Sequence, residues 1–360
     1  VSFVSTGTTP ITSSSLRNCN VINGSNAATT STPAVIVSDV NVNPAGFSFP
    51  SGYFTNISIQ NNSIQKSWIG IQAAGVASTG NGNGLWIDGN SLNDTTVNSI
   101  GNIGIQIYGV DGAYIANNNV GNIVTPVSGG SLPTGIAIAS QTINTTVTNN
   151  TIGPMNFTTA SSGPVGISIS TGNANSNLII SSNTISGIKI NQPVVLNGIT
   201  ISGQTGNVLI TKNKIYDIKN TDTLSASTYG AYAISLGSSL TAANITLSNN
   251  FIWDVAANGR ASTSFHNGYG VYISGGGGYN LYHNTISLTT NQRLVTGLPA
   301  CINISSSVTT PASLDIRNNI FANFQTVSAE RYAIISNAAS TVFAYIDNND
   351  YYTTGPNLGY

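Results

Sequence analysis

Two groups of residues in this chain are of types that could do chemistry. Asp217 and Asp254 occupy equivalent places, each four residues after an asparagine, Asn213 and Asn250. Carboxylates one coil of a repeat apart could share a proton or bind calcium. The second group is His266, Arg260, Glu330 and Arg331, with Tyr232, Tyr269, Tyr272 and Arg293 as companions. Histidine with arginine, glutamate and tyrosine could supply base, charge clamp and acid for a lyase, and the tyrosines and Arg293 could bind sugar rings. Each group also has a structural reading, and in both cases it is the stronger. The slot of Asp217 and Asp254 holds Lys66, Asp94, Asn122, Gly187 and Asn323 elsewhere, which are turn-forming types. Tyr232, Tyr269 and Tyr332 share one repeat column, as stacked structural tyrosines would. The expectation is therefore no metal site and no catalytic residue.

The elements that must position these groups are written in a repeat. Leu178 to Ile185 reads apolar-x-apolar-x-x-Asn-x-apolar, and the pattern returns at Ile57 to Ile64, Leu85 to Leu92, Val208 to Ile215 and Ile245 to Ile252. Its asparagines form a column: Asn62, Asn90, Asn118, Asn150, Asn183, Asn213, Asn250, Asn284, Asn319 and Asn349, with Cys19 in the same slot. The period is about 32 residues, in the range of solenoids. A second column is apolar (Ile59, Ile87, Ile115, Val147, Ile180, Ile210), and a third pairs a small residue with an apolar one, as in Gly104-Ile105 and Gly198-Ile199. Alternation with period two over such short runs means strands. The chain is thus expected to be all-β, a parallel β-helix solenoid of about 11 coils with an internal asparagine ladder, running over 1–360 as one domain. Glycine in the small slot is expected to ease a tight bend.

This sequence resembles the right-handed parallel β-helices of the pectin-lyase-like superfamily, whose internal asparagine ladder matches the Asn column. The resemblance covers nearly the whole chain and implies the right-handed coil. It leaves activity open, because that superfamily includes lyases, hydrolases, tailspikes and adhesins. Leu16 to Gly24 and the Ser/Thr/Asn-rich coils also resemble large surface proteins that Bacteroidetes export by the type IX route. In carbohydrate-active relatives the cleft runs along the sheet with the small-apolar strand. Its outward residues here are Gln72, Gln106, Ala137, Ser168, Thr200, Ser235, Tyr272, Asn303 and Ile335. None of these ionises near neutrality, whereas glycoside hydrolysis needs two placed carboxylates.

Composition narrows the partners. Charged residues are 6% of 360 and the net charge is −1, against 40% hydrophobic. That offers no basic face for nucleic acid and no polybasic or transmembrane segment. Cys19 and Cys301 stand eight coils apart, about 38 Å at ~4.8 Å per coil, so they are expected unpaired, as small buried residues. Val1 to Gly7 reads as the small-apolar strand of a first coil, and Phe343 to Tyr352 as strands of the last, which suggests a segment of a longer polypeptide. Residues 37–55 read as an aromatic-rich insertion. The leading expectation is a secreted, extracellular or cell-surface β-helix serving as stalk, adhesin or recognition surface. Its partners would be other domains of the same polypeptide, surface proteins or glycans, and no cofactor is expected unless Asp217 and Asp254 take calcium. The alternative is a polysaccharide lyase or glycoside hydrolase.

Overall fold

The computed structural model describes residues 1–27, 32–39, 51–77, 82–124, 132–158, 162–223, 230–259 and 266–359. The insertion expected at 37–55 falls mostly outside them, as does Arg260.

The apolar alternation resolves into three parallel sheets, each receiving one strand per coil. The first runs through eleven strands from Ser2–Ser5 to Tyr332–Ser336, and the second through eleven from Ile11–Arg17 to Phe343–Asp347. The third has twelve, from Asn20–Ile22 to Asp350–Thr353, including Met155–Phe157, which pairs off the main path with Thr184–Ile190. Strands therefore pair with the strand one coil away, which is the β-solenoid the repeat predicts. Register follows the columns: Ile105 pairs with Ile136, Ile136 with Ile167, and Ile167 with Ile199. These isoleucines are fully buried, and each contributes about 1.5–3 kcal/mol by leaving water.

The asparagine column lies inside the coil as a continuous ladder. The backbone N–H and the Nδ2 of Asn90 both donate to Oδ1 of Asn118, at 3.0 and 2.9 Å. The same Nδ2 reaches back to the carbonyl of Ile59 at 2.8 Å. Asn150, Asn183, Asn213, Asn250 and Asn284 repeat the arrangement. Asparagine is needed because one side chain must accept from one neighbour and donate to two others in a place without water. The corner itself is turned by the preceding residue in the left-handed region, as at Asn117 (φ 56°), Asn149 (φ 55°) and His283 (φ 56°).

Two expectations are corrected. The small slot is a matter of space more than of bending: a Cβ on Gly104 would lie 2.3 Å from Cγ1 of Val120 and 2.6 Å from the carbonyl oxygen of Gly135. Cys301 is buried as expected, but Cys19 is exposed. In the ladder slot Cys19 keeps only the backbone bond, its N–H donating to Oδ1 of Asn62 at 3.0 Å, while its thiol points to the carbonyl of Arg17.

Candidate functional site

The slot of Asp217 and Asp254 is a turn. Both residues have φ 55°, and Lys66, Asn122 and Gly187 take the same left-handed conformation in their own coils. The turn carries the charged side chains outward, where neighbouring coils interlock them. Nζ of Lys219 lies 2.9 Å from Oδ1 of Asp217 and 2.9 Å from Oδ2 of Asp254. Lys189 closes on the other oxygen of Asp217 at 2.7 Å, and the hydroxyl of Thr290 donates to Asp254. An ammonium thus stands between the two carboxylates weighed above as a calcium site, where the ion would have to sit. Among the described residues no group of three or more potential metal ligands gathers anywhere.

Partial burial works against charge on Asp217, but the hydrogen bonds and charges of Lys189 and Lys219 outweigh it and hold its carboxyl below the ordinary 3.8. Partial burial likewise works against charge on Lys219, and Asp254 and Asp217 outweigh it, raising the ammonium above 10.5. Both groups are therefore charged across the neutral range.

Beside this ion-pair ladder the coils open into a cleft of about 470 Å³, where the chain passes from the third sheet back to the first. The buried Ala256, Ala257 and Asn220 form its floor, and the more exposed Thr221, Thr290, Asn291 and Val327 stand toward its rim. Lys219, Asp222 and Arg293 are the charged residues that line it. Buried amides fix the surrounding loops. Nδ2 of Asn220 donates to the carbonyls of Gln192 and Val194 at 3.2 and 2.8 Å, and its Oδ1 accepts from the backbone of Asp222 at 2.9 Å. Gln292 donates to Oδ1 of Asn267 at 2.9 Å, and its own backbone donates to Oε1 of Gln325 at 3.1 Å. Arg293 is braced at the mouth, with Nε donating to Oδ1 of Asn258 at 2.9 Å and Nη2 to the carbonyl of Thr223 at 3.4 Å. Such a cleft can offer apolar surface to one face of a ligand and amides, hydroxyls and a guanidinium to its edges.

The residues singled out by sequence divide. Arg293 lies in this cleft. Tyr232, Tyr269 and Tyr272 instead form a closed stack on the outer side of the first sheet, with ring centroids 4.7–5.9 Å apart. They are 3%, 0% and 3% exposed and packed against Tyr332 and Ile335, so in this structure they offer no ring face to a ligand. Burial pushes the hydroxyls of Tyr232 and Tyr269 well above 10. Glu330 accepts from the hydroxyl of Tyr332 at 2.9 Å. Arg331 donates to backbone carbonyls, among them Thr354 at 2.7 Å. His266 is half-buried, and its carbonyl accepts from Gly259 at 3.1 Å. Glu330 and Arg331, weighed above as parts of a lyase site, are thus engaged in holding loops. The outward row of the first sheet is also closed over part of its length, since Gln72, Tyr272, Asn303 and Ile335 are buried.

Sequence reasoning missed Lys189 and Lys219, although each stands two residues beyond the turn slot. It also missed an aromatic strip outside the third sheet. Tyr216 stacks on Trp253 at 4.1 Å and 7°, and Phe251 leans on Trp253 at 4.5 Å. Further along, Phe324 meets Tyr352 at 4.8 Å. The signal was available: Tyr216 and Trp253 hold the same place in successive coils, three residues after Asn213 and Asn250.

No family model matches the chain, and none of the curated proteins does. Among solved structures it is similar to the A-module of the mannuronan C-5 epimerase AlgE4 of Azotobacter vinelandii. That match is 13% identical, covers 99% of this chain and 91% of the other, and has a TM-score of 0.45. It is also similar to DFA-IIIase from Arthrobacter chlorophenolicus A6 in complex with GF2, at 12% identity over 95% of this chain and 76% of the other, with a TM-score of 0.33. At these scores both are distant likenesses of fold and bear on nothing else.

Proposed function

We propose that this chain is a carbohydrate-recognising β-solenoid of the extracellular space or cell surface, which holds a polysaccharide in the cleft between Lys219 and Val327. A stalk without a ligand would have no use for the cleft, which is the single observation that carries the reading. Its alanine floor suits the apolar face of a sugar ring, and its amide and hydroxyl rim suits the ring's hydroxyls. Other domains of the same polypeptide or neighbouring surface proteins would present it. Calcium has no role in this proposal, because Lys189 and Lys219 already neutralise the carboxylate pair.

Cleavage of an extracellular glycan, by a lyase or a hydrolase, is the second reading. It is favoured by one observation, that Asp222, Lys219 and Arg293 line one cleft and so bring a carboxylate and two cations to the same ligand. Affinity electrophoresis through gels containing neutral and acidic polysaccharides, with parallel assays for new reducing ends and unsaturated products, separates the readings. Retardation without new ends supports recognition. New ends replace it with catalysis, and no retardation by any glycan contradicts both.

A further inference from the structure

The charges at the cleft are arranged in self-cancelling sets. Lys189 and Lys219 stand against Asp217 and Asp254 in one continuous ladder. Each carboxylate accepts two bonds from its neighbours: Asp217 from the two lysines, Asp254 from Lys219 and Thr290. Arg293 is balanced in formal charge by Asp222 across the same cleft. The exposed guanidinium is held at the mouth, its Nε on Asn258 and one terminal nitrogen on the carbonyl of Thr223. Among the described residues these three cations are matched by three carboxylates, so an acidic sugar would give up its water to a site with no net positive charge, which is unfavourable for a carboxylate or sulfate. The remaining lining, Ala256, Ala257, Val327, Asn220, Thr290 and Asn291, is uncharged.

The shape fits a chain better than a monosaccharide. The lining is drawn from four successive coils, represented by Thr221, Ala257, Gln292 and Val327. Three coil spacings of ~4.8 Å make the cleft roughly 14 Å long, with polar side chains from the first three coils and Val327 from the fourth. A run of hydroxylated rings can span that length, one ring to about one coil.

We propose that the ligand of this cleft is a neutral polysaccharide, bound as a short run of uncharged sugar units lying across the four coils. The inference rests on the glycan reading above and adds the class of glycan.

The test uses the whole chain, with soluble β-glucan and galactomannan as neutral probes and alginate and polygalacturonate as acidic ones, at neutral pH in low salt and in roughly half-molar NaCl. The expected result is retention by a neutral probe, changed less than about twofold by salt, with acidic probes at least about tenfold weaker. Stronger binding of an acidic probe, falling steeply with salt, overturns the neutral assignment and leaves the glycan reading standing. Retention by none of the four overturns the glycan reading and this inference with it. Val327→Asp locates the site. Val327 is 43% exposed, so the fold, checked by circular dichroism, should survive while neutral-probe affinity falls about tenfold. Unchanged affinity in a folded V327D protein would place the ligand elsewhere.

Discussion

Lys219 holds two carboxylates of successive coils on one ammonium, and that single residue decides how the corner responds to pH and to metal. Replacing it with methionine leaves Asp217 with Lys189 and Asp254 with Thr290 alone. We expect Lys219→Met to cost about 1 kcal/mol in urea denaturation at pH 7, the scale of a networked ion pair near the surface. The sign of the pH dependence follows from both partners. Asp217 is depressed on folding, so its contribution is complete above 3.8 and is lost as pH falls through the lower folded value. Lys219 is raised, so its contribution is complete below 10.5 and is lost as pH rises through the higher folded value. The stability difference between wild type and K219M should be flat between those limits and shrink beyond each. A difference that does not shrink in either acid or alkali would contradict the network. Adding calcium or EDTA should leave the melting temperature within about 1 °C, since the charge is met internally; a calcium-dependent rise of several degrees would restore the metal reading.

Within one coil the inward columns and the ladder bear the load. Asn183 accepts from the backbone and side chain of Asn150 at 3.0 and 2.9 Å and donates to Asn213 and to the carbonyl of Val147. Asn183→Ala orphans several buried groups at once, and we expect a loss of about 3 kcal/mol. Asn349, more exposed, accepts from Asn319 and donates to the carbonyl of Ile316 and the hydroxyl of Tyr351; water can replace part of this, so Asn349→Ala should cost about 1 kcal/mol. Equal losses in urea melts of the two variants would contradict a ladder stabilised by burial. This element was legible because its chemistry admits few substitutes: the corner needs an amide, so Asn90, Asn118 and Asn150 recur in the sequence as a column. Tyr232 and Tyr269 were legible as a stack for the same reason of register. Tyr272 was not, because it belongs to the outward row that the sequence assigns to solvent, and the structure buries it against its neighbours. Asp217 and Asp254 were visible as a pair, while the lysine between them was hidden by reading one column at a time.

Over the whole molecule, the fold could be read from periodicity and the cleft could not. A ladder is set by residues that repeat. The cleft is set by stretches that do not, such as Asp222, Asn258 and Arg293, whose proximity depends on the path each loop takes after leaving its strand. The low charge of the chain was informative at this scale, because it leaves recognition to amides, hydroxyls and apolar surface. The central claim is that a glycan lies in the cleft and not along the outer face of the first sheet. It is tested most directly by backbone hydrogen exchange with and without a soluble oligomer of the polysaccharide that retains the protein. The account predicts slower exchange confined to residues 219–223, 256–259, 290–294 and the neighbourhood of Val327. Protection running instead along Gln106, Ser168, Thr200 and Ser235, with the cleft unchanged, would contradict it.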